Sequence, residues 1–303
     1  MMHNQIKYSF DNYLNSLNKC YSEEVQHLLP NINDFPNAII NAFEKKEFST
    51  ILEFGRNQSD QFMTSVCNRI VGIHNIQISR RNKTELDVNK TFKLISASIT
   101  GIPSNSTISS VGSQGFLSIP LFKFEEEIRN LEFIRFHIWS PKLEKYIDPR
   151  TRDLFSIHSH RFHAQSWIIT GELVNQDYKV NRKSENANSA LFEIIYNETL
   201  NNVNQHQSTA RNSGKYIEVK ELRKSIFTKN DTYEIQQGEF HKSSQKNDLM
   251  TSATFFSFYL NNEQLGQSEV TGPIDITESK INRKMYIEPR EFLREIEESI
   301  DAE

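Results

Sequence analysis

Residues 156–172 read Ser156-Ile157-His158-Ser159-His160-Arg161-Phe162-His163-Ala164-Gln165-Ser166-Trp167-Ile168-Ile169-Thr170-Gly171-Glu172. His158 and His160 are two apart, so on a β-strand their side chains leave the same face. A third histidine follows downstream in Gly238-Glu239-Phe240-His241. Two imidazoles on one face and a third from a distant strand supply three metal ligands and leave coordination positions open for chemistry. Nothing else in the sequence points to chemistry so directly. No nucleophile triad is legible, and there is no Gly-rich phosphate loop.

Upstream of this stretch, most of the first hundred residues are predicted to be helical. Phe10, Tyr13, Leu14 and Leu17 recur at helical spacing, and Val25, Leu28 and Leu29 suggest a short helix ending at Pro30. Ala38, Ile39, Ile40, Ala42 and Phe43 form a third stripe after Pro36. A fourth helix starts near the Ser59-Asp60 cap and carries Phe62, Met63, Val66, Ile70 and Val71 inward. The Ser/Gly-rich stretch 101–114 is the boundary candidate. Beyond it, β-rich runs occupy Phe133–Trp139, Ser166–Leu173, Leu191–Tyr196, Tyr216–Val219, Thr232–Ile235 and Thr254–Leu260. Polar or turn-rich segments separate them, as in an antiparallel sandwich or barrel. The Asn-rich segment from Asn197 to Gly214 is expected to be a long exposed loop. Glu288-Pro289 opens a C-terminal helix carrying Phe292, Leu293, Ile296 and Ile300.

The 303 residues are 37% hydrophobic and 24% charged, which describes a soluble globular chain on the polar side. A formal net charge of −4 argues against general attraction to nucleic acid or anionic membranes. Basic pairs such as Arg80-Arg81 read as solvated surface. With only Cys20 and Cys67 there is no disulfide framework. The N-terminal residues lack the apolar run of a signal peptide, and no stretch approaches the ~20 apolar residues needed to span a bilayer. The expectation is a cytoplasmic protein.

The spacing from His158 through His160 to Gly171 resembles the first motif of the cupin family. There, His-X-His precedes a carboxylate and then a glycine that turns into the next strand. Gly238-Glu239-Phe240-His241 resembles the second motif, in which a glycine lies three residues before the last ligand. The resemblance covers roughly residues 115 to 280. It implies an α+β chain with a helical N-terminal region over 1–100. A cupin-like antiparallel β-barrel (double-stranded β-helix, jelly roll) over 115–280 and a C-terminal helix over 286–303 would follow.

The chain departs from the first motif where it matters for chemistry. Counting back from Gly171, the glutamate position falls on Ala164, with Gln165 adjacent. That loss is similar to the cysteine dioxygenase type of thiol dioxygenase, which holds Fe(II) with three histidines. The resemblance implies one divalent metal on His158, His160 and His241, Fe(II) in the first place, with Zn, Mn or Ni as alternatives. Those enzymes carry a Ser-His-Tyr relay on the last strand. Here its histidine falls near Ser257, while Tyr259 matches the tyrosine as a hydrogen-bond donor to bound oxygen.

Alternatives stay open at this point. Glu239 would share a face with His241 on one strand, giving a 2-His-1-carboxylate or four-ligand set; it reads also as a solvated turn residue. His163 alternates away from the pair unless a bulge intervenes, and so is a donor behind the ligands, a substrate contact or a surface histidine. Trp167, Phe255 and Tyr259 wall a pocket or pack as ordinary core. His137 reads as a satisfied interior histidine. The expected function is a cupin-type mononuclear metalloenzyme, an Fe(II)-dependent dioxygenase of a small molecule, with thiols among the candidates. The alternative is a non-catalytic small-molecule-binding or regulatory cupin with a helical partner-binding region. Expected partners are a small-molecule substrate and, as an option, a second copy in a homodimer; neither nucleic acid nor a membrane is expected.

Overall fold

The computed structural model describes residues 7–112, 114–126, 130–147, 149–196, 207–247, 249–261 and 266–302. Its first third is helical: α1 (Phe10–Asn18), α2 (Asn37–Glu44), α3 (Phe48–Arg56), α4 (Gln61–Asn82) and α5 (Val88–Thr100). Side chains of Ser9, Asp60 and Asp87 accept hydrogen bonds from first-turn amides of α1, α4 and α5. Those amides have no partner within the helix, so the caps set where each helix begins. The helix expected around Val25 is a 3-10 segment, Glu23–Leu28, because the nearby Pro30 allows no continuation. Two later helices are α6 (Pro149–Leu154) and α7 (Arg290–Ala302).

The strands run β1 (Ser110–Val111), β2 (Leu117–Glu126), β3 (Asn130–Trp139), β4 (His163–Thr170), β5 (Leu173–Asn181) and β6 (Ser189–Tyr196). They continue as β7 (Gln207–Phe227), β8 (Thr232–Ile235), β9 (Phe240–Gln245), β10 (Ser252–Asn261), β11 (Glu269–Gly272), β12 (Glu278–Asn282) and β13 (Lys284–Met285). One antiparallel sheet has the order β13-β1-β2-β3-β10-β4-β8; the other has β11-β6-β7-β5-β9, with β12 on β7. Among the described residues strand pairing produces two antiparallel sheets with no ladder joining one to the other; the expected antiparallel β architecture is present, and a single closed barrel ladder is not.

Two expectations change in detail. The run Ser166–Leu173 is broken at Gly171, whose φ of +75° ends β4 and turns the chain into β5. Of the segment Asn197–Gly214, residues 197–206 lie outside the described residues. Residues 207–214 are not loop; they belong to β7, which pairs with β6 and β12. Polar side chains suit that strand because much of one side of it meets solvent.

Gly171 also sits against β10: a Cβ there would lie 2.3 Å from the Ser252 hydroxyl oxygen and 2.8 Å from its Cα. Gly238 has a φ of +80° but open space around it. Gly238→Ala is therefore expected to cost only the left-handed penalty, about 1–2 kcal/mol. Gly171→Ala adds a backbone clash and should cost about 3 kcal/mol or more. Urea unfolding of the two variants side by side tests this; equal losses would contradict the close approach.

The helices cover one face of the seven-stranded sheet. Along β3, Ile134, Phe136 and Ile138 enter the helical core, while Phe133, Arg135, His137 and Trp139 point the other way, into the space between the sheets. α7 adds Phe292, Leu293, Ile296 and Ile300 to the same core. Cys20 and Cys67 are unbridged and buried, and burial pushes both thiols up to about 12.

Arg80 and Arg81 are not solvated surface. Both pair with Glu132, whose side chain is 0% exposed, and Gln77 and Tyr8 also donate to that carboxylate. Among the described residues no helix is long and apolar enough to cross a membrane.

Candidate metal centre

His158 and His160 do not lie on a regular strand. They occupy an extended link between α6 and β4, and this link is laid between the two edge strands of the six-stranded sheet. The His158 amide donates to the His241 carbonyl at 3.0 Å and the His241 amide returns a bond at 2.9 Å. On the other side the Ser159 amide reaches the Glu269 carbonyl at 2.8 Å, and the Thr271 amide reaches Ile157 at 2.9 Å. This double pairing brings β9 and the His-Ser-His segment together, so ligands distant in sequence converge.

The ring centres of His158, His160 and His241 are 4.8, 4.4 and 4.9 Å apart for the pairs 158/160, 158/241 and 160/241. One nitrogen from each ring falls within a 4.8 Å spread. A tetrahedral ion with bonds of about 2.1 Å would hold such nitrogens about 3.4 Å apart, so the rings are slightly splayed and need only a small inward turn.

Backbone carbonyls orient two of the rings. His158 Nδ1 lies 2.9 Å from the Ser156 carbonyl, and His241 Nδ1 lies 3.3 Å from the Glu239 carbonyl. A carbonyl only accepts, so each Nδ1 carries the proton and each Nε2 offers its lone pair. Burial drives the imidazoles of His241 and His160 well below their ordinary pKa, and His158 below it too. Neutral imidazole is the form that binds metal. The Gln114 amide nitrogen sits 3.1 Å from His158 Nε2, where it donates to the lone pair a metal would take.

The other candidates lie elsewhere. Glu239 is exposed, and its carboxylate accepts from the Gln236 amide at 2.9 Å, closing the turn before β9. It stands outside the histidine group. His163 begins β4, where its ring stacks at an inclination of 30° on Tyr259, 5.6 Å between centres, and its Nδ1 accepts from the Gln237 amide at 3.3 Å. Tyr259 faces the helical layer, with the Arg80 guanidinium 4.6 Å from its ring centre. Ser257, near which the relay histidine would fall, accepts from Arg80 as well. Phe255 and Trp167 also pack on the helical side, the indole donating to Ser79.

The residues that do wall the cavity are Phe256 and Phe258, which alternate with Phe255 and Tyr259, together with Phe116 and Gln114. Sequence reasoning passed over these. Strand β10 carries aromatic side chains on both faces, so alternation defines two sets without saying which faces the histidines. His137 shares this wall, between Phe116 and Phe256, and burial with nearby Arg135 drives its imidazole well below the usual range. Its Nε2 meets no hydrogen-bond partner among the described residues.

No family model and no curated protein matches the chain. Among solved structures, a hydroquinone 1,2-dioxygenase from Sphingomonas sp. TTNP3 with 4-hydroxybenzoate bound is similar at 8% identity and a TM-score of 0.24, over 46% of this chain and 65% of that one. CapF, solved with the inhibitor 3-isopropenyl-tropolone, is similar at 12% identity and a TM-score of 0.24, over 65% of this chain and 44% of that one. The chain thus spans less than two thirds of the length of either, and at these scores neither likeness bears on its function.

Proposed function

We propose that this chain is a cupin-like mononuclear metalloprotein whose metal is held by His158, His160 and His241, and that it acts as an Fe(II)-dependent oxygenase of a small molecule. The observation that carries the reading is the convergence of three neutral imidazoles, buried or half-buried, from two segments about eighty residues apart, at the wall of a cavity of about 320 Å³. An all-nitrogen set leaves further coordination positions for O2 and substrate. A redox-active ion bound there would supply the electron chemistry that O2 requires.

The protein's own part is positioning and exclusion of water. Ser156 and Glu239 carbonyls hold the rings in the binding tautomer, and Phe256, Phe258 and Phe116 line the approach. A metal on His158 Nε2 would take the lone pair that Gln114 now meets at 3.1 Å, and the Gln114 carboxamide would then be available to a ligand nearby. A Tyr259 donor to bound oxygen has no support in this placement, which weighs against a thiol-dioxygenase relay. The helical region covers a sheet face, a structural role that needs no separate partner.

Metal analysis after anaerobic purification and Fe(II) loading tests the reading, followed by oxygen consumption with a panel of small acids, phenols and thiols. About one equivalent of metal and substrate-dependent uptake are expected. Failure to retain metal would overturn it.

A further inference from the structure

Residues 157–161, which carry two of the three imidazoles, form a strap outside the regular ladders. His158 makes one bridge to β9 and one to β11 in place of a continued strand pairing. On the β11 side the contact centres on Ser159, the residue between His158 and His160. Its amide donates to the Glu269 carbonyl at 2.8 Å, and its hydroxyl accepts from the Glu269 amide at 3.2 Å. Ser159 is buried, which shields both bonds from competing water.

Glu269 is itself fixed. Its carboxylate accepts from both terminal nitrogens of Arg182, Nη1 at 3.0 Å and Nη2 beside it, in the two-bond geometry that a guanidinium offers a carboxylate. Arg182 directly follows β5, and β5 pairs with β9, placing Asp177 opposite His241. The ion pair thus ties the strand beside β9 to the strand on the far side of the strap. One circuit results, running from His241 through β5, Arg182, Glu269 and Ser159 back to His158 and His160.

Such a circuit governs where the rings sit. In extended backbone the residues flanking Ser159 send their rings to one face while the serine hydroxyl leaves from the other. A residue that both donates to and accepts from one partner fixes register, and a slip of one position would turn both imidazoles away from His241. With single bridges in place of a ladder, these few bonds carry a large share of the positioning. Groups that orient ligands without touching the ion typically change metal affinity by about 10–100-fold.

We propose that Ser159, Glu269 and Arg182 are positioning residues for the metal centre: by seating the strap between β9 and β11 they set the spacing of His158 and His160 from His241. None of the three belongs to the histidine group itself. The consequence for metal rests on the three-histidine reading, whereas the seating of the strap is a property of the chain alone.

Titration of the full-length protein with Co(II) against a competing chelator tests the proposal, with the d–d absorption bands reporting ligand geometry. Ser159→Ala is expected to bind Co(II) about 10–100-fold more weakly and to shift those bands. Ser159→Thr keeps the hydroxyl and should recover most of the affinity. Arg182→Met removes a half-exposed partner and should cost about two- to fivefold. Arg211→Met breaks another ion pair of the same sheet, with Glu278 at 3.2 Å, between β7 and β12, and should leave affinity and bands unchanged. Circular dichroism identifies a variant that has merely unfolded; if Ser159→Ala does so, Arg182→Met against Arg211→Met decides.

Wild-type affinity and bands in folded Ser159→Ala, or equal affinities in Arg182→Met and Arg211→Met, would overturn the proposal while leaving the metal reading intact. Hydrogen exchange of the metal-free protein separates the two. If the wild-type chain takes up no Co(II), the metal reading falls and exchange alone decides the seating role. Faster exchange of the His158 and His241 amides in Ser159→Ala than in Arg211→Met upholds it; unchanged exchange rejects it.

Discussion

Replacing His241 by alanine is expected to abolish stoichiometric metal binding while leaving the fold intact. Loss of a group behind a metal ligand already costs about 10–100-fold in affinity, so loss of a ligand itself should exceed about hundredfold. The fold should survive because the pairing between His158 and His241 runs through backbone atoms, at 3.0 and 2.9 Å, and does not need the ring. His158→Ala is expected to behave alike. Plasma mass spectrometry of anaerobically loaded protein, with circular dichroism as the control, reads both. A His241→Ala chain that keeps one tightly bound equivalent would move the metal elsewhere.

The pH dependence has a definite sign. Burial depresses the three imidazoles below the ordinary histidine value of about 6.5, so in the folded chain they stay neutral as pH falls through that value. Protons therefore compete with metal only at lower pH, and retention should be flat from pH 8 to about 6 and fall below it.

The second large effect concerns no functional residue. Glu132→Ala should destabilise the chain by about 3–5 kcal/mol, because it strands Arg80 and Arg81 at a buried interface without their carboxylate. In a chain of this size that is a fall in unfolding midpoint on the order of 10 °C. Glu132→Gln keeps the shape and some hydrogen bonds and should fall between. Removing the exposed pair of Lys142 with Glu291 and Glu295 should have little measurable effect. Thermal unfolding by calorimetry separates these cases. Metal content should not change in Glu132→Ala, since the network lies across the sheet from the histidines.

Much of the architecture was legible in local patterns. The stripes of α1, α2, α4 and α7 and the Asp60 cap of α4 depend on residues within a few positions of one another, as helices do. The β-rich remainder was visible as apolar runs between polar segments. Boundaries were less so. Gly171 broke a run that hydrophobicity alone carried through, and of β7 only Tyr216–Val219 read as a strand, the rest being too polar because much of it borders solvent. Glu132 and the Arg80-Arg81 pair, far apart in sequence, gave no local sign of meeting.

For the site, residue type and spacing were enough to single out His158, His160 and His241 as the candidates for a common centre. Spacing of two also says which neighbours share a face. It does not say what each face meets, and here β3 and β10 are covered on both sides, by helices and by the second sheet. Only the tertiary structure decided that Phe256 and Phe258 face the imidazoles while Tyr259 and His163 do not, that Glu239 closes a turn, and that Ser159 meets Glu269. The physical reason is that periodicity is local, whereas the side of a doubly covered sheet on which chemistry collects is set by contacts between residues a hundred or more positions apart.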